Sequence, residues 1–431
     1  MQHRPRICAA VASWVLFVAF SYGRAATAQP AGVLPRAPLT VESFTQAVLE
    51  RNADFDAMRQ AVLAALARVR PAGKLADPVL SVSAAPRTFG SSMGSGSDIE
   101  ISQALPWWGT LDARRQVARA KAEAASDDLD ALRLRLAALA RGSFADWVFV
   151  HRALEINAAT LAVMESVRSV AAVRYASGRA PQEDVLQADV ERTLLEQQRL
   201  EWRREISVVR ARMNALLDRA PDSPVPAPAD LPAPVPLPAE AVLLRRALSQ
   251  PRLAALEAGE RAAEARERLA RKSRFPEFRV NAGYDSMWAD PAMRPMVGLS
   301  FTVPIDQSKY RADIDAAHAQ ALQANARFQD QKAALLADLS ASYASTREAA
   351  QSVALYHDDL VPLARDALQV ALSGYGSGQG SFLEVLTAEQ RQLEAELGLA
   401  RAQSDYFRQL ATLEQLSGPG WAADLTGGRV Q

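Results

Sequence analysis

A stretch that occurs twice, 200 residues apart, constrains the fold of this chain more than any other feature. The two copies, residues 175–188 and 375–388, align without a gap. Each copy lies between two long apolar-periodic runs, so each predicts a tight turn between two antiparallel helices. Glycine supplies the left-handed conformation that ends the first helix, and an acid lies in the first turn of the second. The matching positions are Tyr175, Gly178, Asp184, Val185 and Leu186 in one copy and Tyr375, Gly378, Glu384, Val385 and Leu386 in the other.

The duplication extends to the segments before each turn. Leu105-Pro106 and Val303-Pro304 each end an alternating apolar segment and open a long helix, at an offset of 198 residues. Pro78 and Pro276 share that offset, and each begins the partner segment. One half of the chain is therefore predicted as helix, strand, strand, long helix, turn and helix. Solenoid repeats have periods of roughly 20–50 residues, so the pattern indicates two copies of one domain.

The predicted organisation follows from these repeats. The first repeat covers residues 29–218, with a β-hairpin at 79–105 and its helical turn at 175–184. A proline-dense linker at 219–238 leads to the second repeat, residues 239–418, with a β-hairpin at 277–303 and its turn at 375–384. Residues 419–431 are predicted to be a disordered tail. The opening helix of each repeat is predicted as continuous, from Thr40 to Ala72 and from Ala239 to Lys272.

Residues 1–28 predict a secretory signal peptide. Arg4 and Arg6 precede an apolar run from Ile7 to Phe20, and Ala26-Thr27-Ala28 fits the cleavage pattern. The run is shorter than the ~20 residues of a membrane-spanning helix, and we expect no later helix to span a membrane either. Cleavage would remove Cys8, the only cysteine, so neither a disulfide nor a thiolate metal site is expected.

Composition and motifs exclude several classes of function. The 49 basic and 49 acidic residues balance, which gives no reason to expect a nucleic-acid partner. His151, His318 and His357 have no partner histidine four residues away, so no metal site or cofactor is expected. No nucleophile-elbow serine, phosphate-binding glycine loop or histidine–carboxylate constellation is present, so we expect no enzymatic activity.

The four predicted strands are apolar on one side and polar on the other. Their length suits a transmembrane β-barrel, whose strands need about 9–11 residues. Four strands cannot close a barrel, and an open sheet edge in lipid costs several kcal/mol per unpaired group. Two readings follow from the residues: two independent hairpins resting on a helical body, or one barrel shared between subunits. Three chains would supply twelve strands and four chains sixteen.

The order of elements, the duplicated Tyr-x-x-Gly turns and the strand–Pro–helix junctions resemble the TolC-type outer-membrane efflux protein family. The resemblance covers residues 40–416 and implies a mainly α fold with a small β part. It implies a homotrimer with a shared twelve-stranded barrel in the outer membrane of a Gram-negative bacterium. A long α-helical barrel would project from it into the periplasm.

Within that family, two segments are most similar to the branch that serves heavy-metal efflux pumps of the resistance-nodulation-division (RND) class. These are Leu105–Gly109 and the first helical turn with the residues that follow it. The second turn departs from that branch, with Glu384 in place of aspartate, and so does the missing lipid-attachment cysteine. The implied partners are a periplasmic membrane-fusion (adaptor) protein, an inner-membrane RND transporter and outer-membrane lipid. Multidrug efflux, type I protein secretion and a structural trimeric coiled-coil spacer are the alternatives.

The resemblance also assigns functional residues. The turns would dock the adaptor protein through Tyr175, Gly178, Val185, Leu186, Tyr375, Gly378, Val385 and Leu386. Asp184 and Glu384 would form a pore constriction of six carboxylates in a trimer, or else are ordinary first-turn helix acids. The tryptophans would form a belt at the membrane–water boundary, or else pack inside the helical body; they are Trp107, Trp108 and Trp288.

Overall fold

The structure is a computed structural model and describes residues 38–85, 96–286, 288, 290–418 and 421. All of these belong to one compact unit that begins at residue 34. The predicted signal peptide and all of the predicted tail except Trp421 lie outside the described residues. Trp421 is buried, and its indole N–H donates to Ser417 Oγ at 2.9 Å.

The order of elements is the same in both repeats. The first contains α1 (Val41–Arg51), α2 (Ala53–Ala72), β1 (Val79–Ala85), β2 (Gly96–Leu105), α3 (Thr110–Ala176) and α4 (Gln182–Leu216). The second contains α5 (Glu240–Ala247), α6 (Pro251–Lys272), β3 (Glu277–Asp285), β4 (Pro295–Thr302), α7 (Gln307–Ala354), α8 (Val361–Ser377) and α9 (Phe382–Ser417). The 67 residues of α3 make a helix roughly 100 Å long at 1.5 Å per residue.

Two helices that the sequence predicted as continuous are each divided in two, and the prediction of single helices over 40–72 and 239–272 is wrong. Thr40 caps α1, but the chain becomes extended at Asn52. The side-chain Oδ1 of Asn52 accepts from the Phe55 backbone amide at 3.2 Å, and its side-chain Nδ2 donates to the Leu216 carbonyl oxygen at 3.1 Å. This cap and the bond to the end of α4 outweigh the cost of interrupting the helix. The second break precedes Pro251, whose ring fits the first turn of α6.

The long helix of the second repeat contains a wider turn that the first repeat lacks. Residues Leu355–Leu360 form a π-helical segment between α7 and α8, and Pro362 follows it. The ring of Tyr356 lies against the backbone of Gly398 on α9, where a Cβ atom would overlap the ring. Gly398 therefore permits the close approach of the two helices at this level.

The strands form one antiparallel sheet in the order β1-β2-β3-β4, rather than two separate hairpins. The two repeats meet at β2 and β3, where Leu105 pairs with Phe278 and Asp98 pairs with Asp285. The predicted alternation is confirmed, because apolar side chains share one exposed face of the sheet. They are Leu80, Val82, Ile99, Ile101, Val280, Tyr284, Val297, Leu299 and Phe301. Among the described residues, strands β1 and β4 end the sheet, and each is paired on one side only.

The helices pack in the order α4, α3, α9, α7/α8, so that α3 contacts both its own hairpin partner and α9 of the second repeat. The largest buried side chains of this core include Phe44, Phe144, Met164, Met213 and Leu413. The proline-dense linker lies against the helices. Its Ala227 carbonyl accepts from the Leu39 amide at 2.9 Å, and its Pro226 carbonyl accepts from the Trp147 indole at 2.9 Å.

Among the described residues one helix, α3, is long and apolar enough to cross a membrane by length and composition alone. The expectation that no helix spans a membrane stays a prediction. Core helices of soluble proteins pass it as well, and α3 packs against helices on both sides, α4 and α9.

The contact between Tyr356 and Gly398 predicts a stability effect. Gly398→Ala should lower the thermal midpoint of the purified protein, because the added methyl group must displace the Tyr356 ring and overpacking costs typically 1–3 kcal/mol. Gly259→Ala is the matched control, since it lies within α6 with open space around it. That change should be neutral or stabilising by up to about 1 kcal/mol. Equal midpoints for the two variants would contradict the packing role of Gly398.

Candidate functional site

The two helical turns have the predicted left-handed glycines. Gly178 follows α3 with φ +70°, and Gly378 follows α8 with φ +85°. Both turns close with the same backbone bonds, in which the glycine amide donates to the carbonyl of Tyr175 or Tyr375, at 2.9 and 3.1 Å. The prediction that glycine ends each first helix is confirmed. We call these segments, residues 174–188 and 374–388, tip 1 and tip 2.

The helices that leave the tips begin differently. In tip 2, Ser381 and Glu384 form a capping box: Ser381 Oγ accepts from the Glu384 amide at 3.2 Å, and Glu384 Oε2 accepts from the Ser381 amide at 3.1 Å. In tip 1 the corresponding residue is Pro181, which provides no side-chain cap. Only in tip 2 is the start of the second helix stabilised by a capping box.

Tyr375 joins tip 2 to tip 1. Its side chain is only 3% exposed, and its hydroxyl donates to Asp184 Oδ2 at 2.8 Å. The Arg174 guanidinium lies 4.5 Å from the centre of the Tyr375 ring and donates to the Tyr375 carbonyl oxygen. Phe382 meets the ring edge-on at 5.5 Å. One aromatic side chain of the second repeat is thus held by a cation and a carboxylate of the first.

Burial and, to a smaller extent, the hydrogen bond to Asp184 together raise the pKa of Tyr375 to about 12. The phenol is therefore protonated at physiological pH. Only the protonated form can donate to the Asp184 carboxylate, so the bond between the tips is present under those conditions.

The tip residues proposed for adaptor docking differ in accessibility. Tyr175 is 47% exposed and Leu186 is 56% exposed, whereas their counterparts Tyr375 and Leu386 are 3% and 8% exposed. Val385 is also buried, and Val185 is half-buried. In a single protomer, Tyr375, Val385 and Leu386 are core side chains, and tip 1 supplies most of the accessible apolar surface.

Both acids proposed for the pore constriction have local partners. Asp184 accepts the Tyr375 hydroxyl, and Glu384 accepts the Ser381 amide in the capping box. Sequence reasoning did not identify Arg174, although it immediately precedes the first repeated tyrosine. The available signal was the contrast with Gly374, which occupies that position in the second repeat.

A buried carboxyl group lies close to tip 2 in the sequence. Glu389, on α9, is 2% exposed, and neither carboxyl oxygen has a hydrogen-bond partner among the described residues. A cavity of about 50 Å³ beside it is lined by Thr160, Leu368 and Gln392, among others. Burial raises the pKa of Glu389 to about 7, with a smaller contribution from Glu191.

The first repeat arranges the same positions differently. Asp189 corresponds to Glu389, and it accepts from Arg168 Nε at 2.5 Å. Leu368 occupies the position of Arg168 in the second repeat. The carboxyl of the second repeat is therefore buried beside Leu368, without the arginine that pairs with its counterpart Asp189.

The tryptophans lie at opposite ends of the sheet. Trp107, at the start of the segment that leads from β2 to α3, stacks on Phe275 at 4.8 Å and on Phe278 at 6.0 Å. Trp108 is exposed beside it. Trp288 is exposed beyond the far end of β3 and is not part of that strand. Aromatic residues thus flank the apolar face at both ends, as at membrane boundaries.

The described residues contain no group of three or more His, Cys, Asp or Glu side chains that could hold a metal ion. His318 lies 3.4 Å from Glu267, and His357 lies 2.8 Å from Asp358. Both histidines are exposed, and neither lies near the tips in the sequence.

The family model for the outer membrane efflux protein matches residues 44–217 and 243–419, which correspond to the two repeats. The chain belongs to the outer membrane efflux protein family. It is therefore an outer-membrane protein, as the resemblance implied, and the duplicated helix–strand–helix architecture is that of the TolC-type channels. No curated protein matches the sequence.

Solved structures share this fold at low sequence identity. The outer-membrane channel OprN is 21% identical, with a TM-score of 0.76 over 88% of this chain and 90% of that chain. CusC, whose structures concern folding and transmembrane channel formation, is 18% identical, with a TM-score of 0.76 over 88% and 92%. The open state of the MtrE outer membrane channel of Neisseria gonorrhoeae is 19% identical, with a TM-score of 0.74 over 88% and 89%. Three independent channels thus have the same arrangement of helices and strands.

The tip glycines generate a first prediction. Gly178→Val and Gly378→Val should each cost about 1–2 kcal/mol from the left-handed backbone. At position 378 the added Cβ would be in ordinary contact with Arg174 Nη2, at 3.6 Å. We expect normal amounts of folded protein in the outer membrane and loss of efflux-dependent resistance. Gly376→Val is the control, since it has open space and lies within α8. Full resistance in a variant that carries both Gly178→Val and Gly378→Val would show that efflux does not depend on the conformation of the two turns.

The buried Glu389 generates a second prediction. The folded-state pKa of Glu389 is raised from 4.5 to about 7. The contribution of this protonated side chain to the free energy of unfolding is therefore fully present below about pH 4.5 and is lost as the pH rises through 7. Each pH unit corresponds to about 1.4 kcal/mol, so the loss is at most about 3 kcal/mol. Glu389→Gln should remove most of this decline in thermal midpoint between pH 5 and 8.5.

The control for that experiment is Glu191→Gln. It removes only the smaller, like-charge contribution and should reduce the decline slightly. If wild type and Glu389→Gln lost stability equally between pH 5 and 8.5, Glu389 would not be the buried acid that titrates.

Proposed function

We propose that three copies of this chain form one outer-membrane channel that serves as the exit duct of a tripartite efflux system. The four-stranded sheet carries this proposal, since β1 and β4 each have one unpaired edge and one face of the sheet is exposed and apolar. Three sheets joined edge to edge give twelve strands with no open edge. The apolar face then lies against lipid, and the opposite face lines the lumen.

The opposite face has the polar character that a water-filled lumen requires. Paired positions on β2 and β3 place Glu100 opposite Gly283 and Ser102 opposite Asn281. Arg279 pairs with Ser300 across β3 and β4. Alternation of lipid-facing apolar residues with lumen-facing polar ones is the pattern of transmembrane barrels. A structural coiled-coil spacer has no use for such a sheet.

The helices extend this duct away from the membrane. In the proposed assembly the six tips of three chains meet at the periplasmic mouth, where an adaptor protein docks and connects the channel to an inner-membrane RND transporter. The channel is a passive conduit without catalytic activity, and the transporter supplies the energy.

We further propose heavy-metal cations as the substrate. The support is the likeness of Leu105–Gly109 and of tip 1 to the heavy-metal branch of the family. Such an ion would pass through a wet pore without being ligated by the protein. Multidrug efflux and type I protein secretion use the same kind of duct, and they are the competing outcomes of the test.

The test is a deletion strain exposed to zinc, cobalt, cadmium and copper salts and, in parallel, to dyes and antibiotics. We expect at least a fourfold fall in the inhibitory concentration of one or more metals, restored by the wild-type gene, because the duct is the last step of export. Sensitivity to drugs with unchanged metal tolerance would contradict the metal assignment and leave the channel assignment intact. If the deletion strain kept its tolerance to metals and to drugs but failed to release a polypeptide, the channel would serve protein secretion.

A further inference from the structure

The contact between the two tips of one chain provides a template for the contact between chains. Inside the protomer the helices lie in the order α4, α3, α9, α8, so α4 and α8 are the two edges of the row. By the duplication α4 corresponds to α9, and α3 corresponds to α7 and α8. An α8 edge can therefore receive the α4 edge of a second copy in the way that α3 receives α9.

Both edges carry exposed apolar side chains that fit this continuation. Leu186 is exposed on α4, and Leu363 is exposed on α8, where its counterpart Val163 in the first repeat is half-buried. At the internal joint, by contrast, Leu386 is buried. Leu386 is covered at the contact between α9 and α3, and the duplicate of α3 is α8, which lies on the opposite edge of the row. A second copy of this chain can therefore cover Leu186 with its α8. This inference rests on the trimer proposed above.

At the tips the same relation names individual residues. The internal joint places Tyr375 against Arg174 and Asp184. The repeats are 200 residues apart, so the equivalent contact between two copies exchanges each residue for its duplicate. Tyr175 of one copy then lies against Gly374 and Glu384 of the next. We propose that Tyr175 packs into tip 2 of the neighbouring protomer and that its hydroxyl donates to Glu384 there.

The chemistry of both residues agrees with this contact. Tyr175 lies at the protomer surface, although the tyrosine in the duplicate position is almost fully buried. Glu384 is also exposed, and its capping bond to Ser381 uses Oε2. A carboxylate accepts several hydrogen bonds, so the capping box and a phenol hydrogen bond coexist on one side chain. Neither residue has to give up a contact that it makes within the protomer.

The joint between protomers lacks one component of the internal joint. Arg174, which lies over the Tyr375 ring and bonds its carbonyl, has Gly374 as its counterpart. A ring of six tips then contains three joints with a cation over the tyrosine and three without. The joints between protomers are the weaker set.

Cysteine crosslinking tests the pairing. The only cysteine of the chain is Cys8, within the predicted signal peptide, so introduced thiols react without background in the cleaved protein. In the variant with Tyr175→Cys and Glu384→Cys, a short bifunctional maleimide applied to intact outer membranes should give bands of dimer and trimer mass on denaturing gels. Each single variant should remain at monomer mass, because one thiol per chain has no partner at this joint.

Two further variants keep the outcome interpretable. Asp184→Cys with Tyr375→Cys joins residues of one chain and should crosslink without a change in mass. Tyr175→Cys with Leu383→Cys preserves the capping box, since Leu383 is exposed beside Glu384; it should give the same dimer and trimer bands. Native mass is measured on every variant before crosslinking.

A protein of trimer mass that gives only monomer bands with both the 175–384 and the 175–383 pairs would overturn the inference while leaving the proposed channel in place. Dimer bands from a single variant would also overturn it, because they would place identical residues together at the threefold axis. A protein of monomer mass with a folded sheet would overturn the proposed assembly and the inference with it.

Discussion

Hydrogen bonding at the outer edges of β1 and β4 is the constraint on which the rest of the structure depends. Each of these strands is paired on one side only, and the sheet has an exposed apolar face. In lipid every unpaired backbone group costs several kcal/mol, and water is not available to replace the missing partner. A sheet of this composition is therefore stable in a membrane only when other copies complete it. A membrane-embedded chain of this kind must form an oligomer.

The duplication explains how one chain meets that constraint with two short hairpins. The repeats are joined twice: β2 pairs with β3 in the sheet, and α3 packs against α9 in the helical region. The linker adds a third connection, because it lies against α3 through Trp147 and pairs with Leu39 at the start of the chain. The four strands and the row of helices consequently behave as one unit, and each protomer contributes a continuous segment of wall to the proposed duct.

Features set by local sequence could be predicted, and features set by distant contacts could not. The start and the end of the first β-hairpin, at residues 79 and 105, and the left-handed tip glycines follow from periodicity and glycine chemistry, and they agree with the structure. The helix break at Asn52 depends on a bond to Leu216 that no local pattern shows. The break before Pro251 had a visible signal in that proline. Joining the hairpins at β2 and β3 requires strands about 180 residues apart in the chain to meet.

The same distinction holds at the candidate site. Sequence comparison of the repeats located the tips and their acids but treated the two copies as equivalent. The structure shows that they are not, because Tyr375 is buried and Tyr175 is accessible, and because Asp184 and Glu384 have different partners. Exposure depends on which face of a helix a neighbour covers, and that information is absent from a single sequence.

The differences between the repeats follow from where each position lies in the row of helices. Arg174 contacts tip 2 of its own chain, whereas its duplicate Gly374 lies on α8, at the edge of the row of helices. The arginine is therefore present at the internal joint and absent from the α8 edge. Arg168 and Asp189 pair in the first hairpin, whereas Glu389 in the second is buried beside Leu368 and has no hydrogen-bond partner among the described residues. In a ring built from six identical single-repeat units, each such change would appear at every joint. Because duplication gives each position to only one kind of joint, the internal joint can hold both a cation and a carboxylate, while the outer joint of the proposed trimer lacks the cation.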